Sequence, residues 1–96
     1  MIEAGDRVLV VGLARREQLA AWAARCSLLV GVGGEDEVYA ARRECAHLDN
    51  VMFVLGERGG IPWRDQYFTL ILDTEGGEPT AQMLRVLAPG GRINAV

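Results

Sequence analysis

The sequence predicts an α/β fold in which about five parallel strands form one sheet with helices on both faces. Short runs around residues 8–11, 28–32, 51–55 and 67–72 are apolar nearly throughout rather than alternating, as strands buried on both sides must be. Between them, apolar residues recur at helical spacing. Glycines close several runs, at Gly12, at Gly33 and Gly34, and at Gly56. Strands alternating with helices in this way give a three-layer parallel sheet, and 96 residues fit one domain, residues 1–96.

The elements follow in order. Arg7–Val11 is the first strand. From residue 14 to 25 the residues Leu19, Trp22, Ala23 and Cys26 share one helical face, which places Trp22 in the core. Residues 27–32 make a second strand, and Glu35, Asp36 and Glu37 open a second helix, where acids suit the positive end of the dipole. Val38, Ala41, Cys45 and Leu48 mark its buried stripe. Val51–Leu55 is the third strand, and residues 58–63 are loop because their glycines and proline resist regular structure. Residues 67–72 form the fourth strand, ending at Asp73. Pro79 fits the first position of a third helix with Ala81, Leu84, Leu87 and Ala88 inward. Pro89, Gly90 and Gly91 stop it, and residues 92–96 are a fifth strand.

Composition narrows the function. Ten basic against thirteen acidic residues leave a net charge of −3, which argues against a nucleic-acid surface. Cys26 and Cys45 lack metal-ligand spacing, and the single His47 does not complete a zinc set, so no metal is expected. They read as buried thiols of a reducing cytoplasm. The N-terminus does not resemble a signal peptide, and no apolar run approaches about 18 residues, so no membrane partner is expected. In parallel sheets, ligands bind beyond the carboxyl ends of the strands. Those ends are Gly12, Leu13 and Ala14; Gly33, Gly34 and Glu35; Gly56, Glu57 and Arg58; and Asp73 with Thr74. Gly12 with Arg15 and Arg16 also offers an anion site.

Residues 83–93, MLRVLAPGGRI, together with NVMFVLGE at 50–57, IPW at 61–63 and YFTLIL at 67–72, resemble the class I S-adenosylmethionine-dependent methyltransferases. The likeness covers nearly the whole chain. It implies a Rossmann-like sheet of order 3-2-1-4-5 and S-adenosylmethionine as cofactor. The implied cofactor-binding positions are Gly12, Leu13, Ala14, Gly33, Gly34, Glu35, Glu57 and Arg58, with Asp73 as the catalytic candidate. Several of these depart from the family pattern. Val10 stands where an acid helps hold the methionine amino group, Ala14 and Arg16 replace two glycines, and Gly33 replaces the ribose-binding acid. Glu35 is a displaced substitute for that acid, and Glu57 matches the acid that contacts adenine. Cofactor binding is therefore expected to be weakened.

The sequence stops at strand five, without the antiparallel hairpin of full methyltransferases, and a truncated domain is expected. Strand five would then be a bare edge, which invites a homodimer or a protein partner. Two functions follow. One is a pseudoenzyme, a non-catalytic binding or scaffold module resembling the degenerate methyltransferase-like domain of the anamorsin family, without its cysteine-rich tail. The other is a minimal S-adenosylmethionine-dependent methyltransferase that completes its site by oligomerising.

Overall fold

A computed structural model describes residues 2–96. In chain order the elements are β1 (Arg7–Val11), a 3-10 turn (Arg16–Gln18), α1 (Leu19–Ala23), β2 (Leu28–Gly33), α2 (Glu35–Glu44), β3 (Val51–Leu55), β4 (Phe68–Asp73), α3 (Ala81–Val86) and β5 (Leu87–Ala95). The five strands form one parallel sheet of order β3-β2-β1-β4-β5, the order that the resemblance implies. β1 is central: Val10 lies opposite Gly31 on one side and Leu72 on the other.

Side chains of a strand alternate between faces, and here the alternation divides the core. Val8, Val10, Leu29, Leu70 and Leu72 pack with Leu19, Ala23, Val38 and Ala41 beneath α1 and α2. Leu9, Val11, Val30 and Ile71 pack with Met83 and Val86 of α3 and with Ile61 of the β3–β4 connection. That connection is held by Arg85, whose guanidinium donates to the carbonyls of Trp63 (2.8 Å) and Ile61 (2.6 Å). Trp22 packs against the first cluster, as expected. Trp63 packs against the second, beside Tyr67 and Phe68.

At the opposite, amino end of the strands, Asp6 is 6% exposed. Its carboxylate accepts from the Glu3 N–H (2.8 Å), the Thr69 hydroxyl (2.7 Å) and Arg92 (3.2 Å). Burial pushes its pKa up, but these donors and the Arg92 charge together hold it below the usual carboxylate range. The residue ties β4 and β5 to the start of β1.

Several boundaries differ from the sequence expectation. β2 and β4 each run one residue later, taking in Gly33 and Asp73. The first helix is five residues rather than twelve, because no side chain caps its 3-10 entry at Arg15. The Asn50 amide then closes its far end on the carbonyls of Ala23 (2.8 Å) and Cys26 (3.2 Å). In α3 the cap is the Thr80 hydroxyl, which accepts from the Met83 N–H at 3.1 Å, so Pro79 lies outside the helix. Met83 and Val86 consequently face inward while Leu84 is 58% exposed. Leu87 and Ala88 belong to β5, where residues 89–91 bulge outward between the Phe68–Leu87 and Leu70–Arg92 pairs. Gly90, at φ +79°, makes that excursion possible.

Candidate functional site

The ends of the parallel strands bring the candidate residues to one pole of the sheet. Gly12 leaves β1 at φ +89° with its N–H on the Val32 carbonyl at 2.9 Å. Such a turn favours glycine on backbone grounds alone. Its open side is also taken: a Cβ there would stand 2.5 Å from the Thr74 hydroxyl, 2.9 Å from Glu75 Cγ and 3.0 Å from Glu75 Oε2. The Thr74 hydroxyl is fixed by donating to the carbonyls of Val11 (2.8 Å) and Gly12 (3.0 Å).

Leu13 is fully buried, and its side chain lies across Gly31 and Gly33. A Cβ on Gly31 would come within 2.7 Å of Leu13 Cδ2, and one on Gly33 within 3.1 Å of Leu13 Cδ1 and 3.0 Å of Glu37 Oε1. Leu13 is thus a core side chain. Ala14 is exposed beyond it. Arg16 turns toward Glu44, with Nε 3.3 Å from the carboxylate. With that cation neutralised and α1 only five residues long, the anion-site expectation for Gly12, Arg15 and Arg16 gains no support.

Gly34 is the N-cap residue of α2, and its N–H is 3.4 Å from Glu37 Oε1. Glu35 and Glu57 are both exposed. Glu35 sits in the first turn of α2, and Glu57 opens a tight turn closed by backbone bonds to Gly60 at 3.2 and 3.0 Å.

Asp73 and Arg58 form the centre of this pole. Asp73 is 3% exposed and forms an ion pair with Arg58. Its Oδ1 accepts from the N–H groups of Glu75 (3.0 Å) and Gly76 (3.2 Å), an Asx-type turn. Burial pushes the Asp73 pKa up, yet the hydrogen bond from Arg58, the two N–H donors and the Arg58 charge outweigh it and lower the value overall. A carboxylate so held is not a base poised near neutrality. Arg58, a cofactor-binding candidate from the sequence, also donates to the Glu78 carbonyl at 2.6 Å, and its own carbonyl accepts from the Thr80 hydroxyl at 2.6 Å.

The sequence places Thr74 at this pole, at the end of the fourth strand, but gives no such place to Glu75 and Thr80. A signal was present: an Asp three residues before a glycine pair, at Asp73, Gly76 and Gly77, marks an Asx turn that folds back on its own strand. The Arg58–Asp73 pair had no local signal, since β3 and β4 are separated in the sheet by β2 and β1.

These residues fit S-adenosylmethionine poorly. The open side of Gly12 is filled by Thr74 and Glu75, and the space over Gly33 holds Leu13 and Glu37. Arg58 and Asp73 are bound to each other. Burial raises the thiol pKa of Cys26 and Cys45, which keeps them poor nucleophiles. Among the described residues, no group of three or more His, Cys, Asp or Glu could hold a metal, and no helix is long and apolar enough to cross a membrane. An open groove of about 320 Å³ lies elsewhere, between α2 and β3, beside Arg42, Cys45 and Met52.

No family model and no curated protein matches the sequence. Solved structures do. The YcgJ protein of Bacillus subtilis matches at a TM-score of 0.83 and 22% identity, over 97% of this chain and 44% of that one. A SAM-dependent methyltransferase of Aquifex aeolicus matches at 0.79 and 22%, over 93% and 54%. A chain from the Haloferax volcanii complex between the Trm112 methyltransferase activator and a protein described as a methyltransferase matches at 0.77 and 24%, over 98% and 45%. The chain has the class I methyltransferase-like fold and spans about half the length of these neighbours.

Proposed function

We propose that this chain acts as a non-catalytic binding or scaffold module built on the methyltransferase-like fold. The observation that carries the reading is the buried Arg58–Asp73 pair: the catalytic candidate and a cofactor candidate neutralise each other and pin a loop. Fold alone does not establish function, and the Asp73 carboxylate, held low by Arg58 and two N–H donors, is no base poised near neutrality. Thr74, Glu75 and Leu13 support the same reading, since they occupy the space against the glycines where backbone would have to approach a ligand. Calorimetric titration with S-adenosylhomocysteine tests it. No heat of binding at about 1 mM ligand is expected, and a micromolar affinity would refute it.

The competing reading, a minimal methyltransferase completed by oligomerisation, draws on Glu35 and Glu57, both exposed at the ends of β2 and β3. Binding that disappears in Glu57→Ala would favour it.

For partners we propose association through β5, which pairs with β4 alone and forms one margin of the sheet. Open strand edges pair readily. The Haloferax neighbour, solved in complex with an activator protein, supports the idea that this fold works with protein partners. Sedimentation equilibrium should show a reversible dimer at about 100 μM, equivalent to a dissociation free energy near 5–6 kcal/mol. A monomer at that concentration would contradict self-association. A reducing cytoplasmic setting is proposed alongside, consistent with Cys26 and Cys45 as free thiols.

A further inference from the structure

We propose that β3 takes up an extended acidic segment of another protein as an added strand, and that Arg42 and Arg43 select its charge. The inference concerns a different edge from β5 and rests on the reading of the chain as a binding module. Binding of S-adenosylhomocysteine would refute that reading, whereas peptide binding reports on the edge alone. β3 lies at a margin of the sheet and pairs with β2 only. The Leu29 N–H donates to the Asn50 carbonyl at 2.9 Å, and the Gly56 N–H to the Gly33 carbonyl at 3.1 Å. Even-numbered residues here therefore turn their backbone groups to β2, and Val51, Phe53 and Leu55 turn theirs outward. Arg42 shows the same parity, since its guanidinium donates to the Phe53 carbonyl at 2.9 Å.

This edge is apolar along its length, Val51 to Leu55, and lacks the charges and proline that usually blunt an exposed strand. Met52 is 49% exposed on one face and Leu55 51% exposed on the other. The groove of about 320 Å³ follows the same edge. Val51, Met52 and Phe53 all line it, and successive side chains of a strand point to opposite faces. A space touching all three must lie against the backbone between them. A segment laid there meets main-chain donors and acceptors along its length and apolar side chains on either face. Charge sets what it carries. Arg42 and Arg43 are exposed in the last turn of α2. Among the described residues neither belongs to an ion pair, and the adjacent Glu44 is taken by Arg16. The helix dipole favours cations there but does not account for the reach of Arg42 to the strand. An added strand with acids facing α2 and apolar residues facing Met52 satisfies both flanks.

The probe is a capped peptide of about nine residues alternating valine and glutamate, titrated into the isotope-labelled full chain and followed by NMR. A Kd of about 0.1 mM is expected, with shifts in β3 and α2 and slowed amide exchange at Val51, Phe53 and Leu55. Two N-methylated versions, one on the valine and one on the glutamate amides, test the ladder. One of them should bind at least about tenfold more weakly, since only one set of amides faces β3. Lysine in place of glutamate should weaken binding at least about tenfold, and the variant Arg42→Gln, Arg43→Gln should weaken the acidic peptide about fivefold. Equal binding of both N-methylated versions overturns strand addition. Equal binding of the lysine peptide overturns the acidic partner. No binding at about 1 mM, or shifts centred on Ile93 and Ala95 of β5, overturns the site. A dimer in sedimentation whose Val51, Phe53 and Leu55 amides are protected without peptide means that a second copy fills the edge, which also overturns it.

Discussion

Leu13 separates a cofactor contact from a core side chain, and its energetic weight follows from its surroundings. It is fully buried and lies on Gly31 and Gly33. Leu13→Ala removes three buried carbons, roughly 2.4 kcal/mol at about 0.8 per methylene, and the residual cavity raises the cost to about 3–4 kcal/mol. Gly31→Ala has the opposite fault. Its Cβ would stand 2.7 Å from Leu13 Cδ2 and 2.7 Å from Phe53 Cδ1, an overpacking worth about 1–3 kcal/mol. In the double variant the Leu13 clash disappears and the new methyl fills part of the void, while the Phe53 clash persists. The double should therefore fall short of the summed losses by about 1–2 kcal/mol. Against a total stability of roughly 5–14 kcal/mol for a chain of this length, each step is measurable by urea unfolding followed by circular dichroism with m-values held common. A Leu13→Ala cost under about 1 kcal/mol, or additivity within about 0.5 kcal/mol, would refute the packing assigned to Leu13.

Three further outcomes follow from the charged residues. Asp73→Ala should cost about 2–4 kcal/mol, because Arg58 loses its partner, and Asp73→Asn should cost less because it still accepts from Glu75 and Gly76; thermal unfolding of both checks this. The folded-state pKa values of Asp6 and Asp73 are both lowered, so their stabilisation is full above the unfolded carboxylate pKa of about 4 and is lost as pH falls through the folded values. Unfolding free energy should thus be flat from about pH 7 to 5 on their account and fall below about pH 4, with the fall reduced in Asp6→Asn. Arg16→Ala should change stability by under about 0.5 kcal/mol, since its pair with Glu44 is largely solvated, as a denaturation midpoint will show.

Much of the fold was legible because the strands carry their burial in composition. Val8 to Val11 are apolar without alternation since both faces of β1 are covered, and that pattern has no helical reading of the right length. Strand order came through the family likeness of residues 83–93. The third helix was read on the wrong stripe because Ala81, Leu84 and Ala88 keep helical spacing as well as Met83 and Val86 do. Only the Thr80 cap chooses between them. At the pole, single residues were visible but their partners were not. Asp73 and Arg58 are fifteen positions apart, one ending β4 and the other in the turn after β3, and those strands are not neighbours, so the pair exists only once the sheet has formed. Glu75 escaped notice because an exposed acid in a glycine-rich loop looks like ordinary solvation, and its position over Gly12 is a property of the fold.

The thermal response of the wild-type chain to S-adenosylmethionine and S-adenosylhomocysteine tests the closed pole most directly. Ligand that binds the native state must raise apparent stability. At about 1 mM ligand, a Kd of about 0.1 mM would add roughly 1.4 kcal/mol, or about 6–11 °C for a domain of this size. The closed arrangement of Gly12, Thr74, Glu75, Arg58 and Asp73 leads to no shift with either compound. A rise of several degrees, abolished by Glu57→Ala, would contradict it.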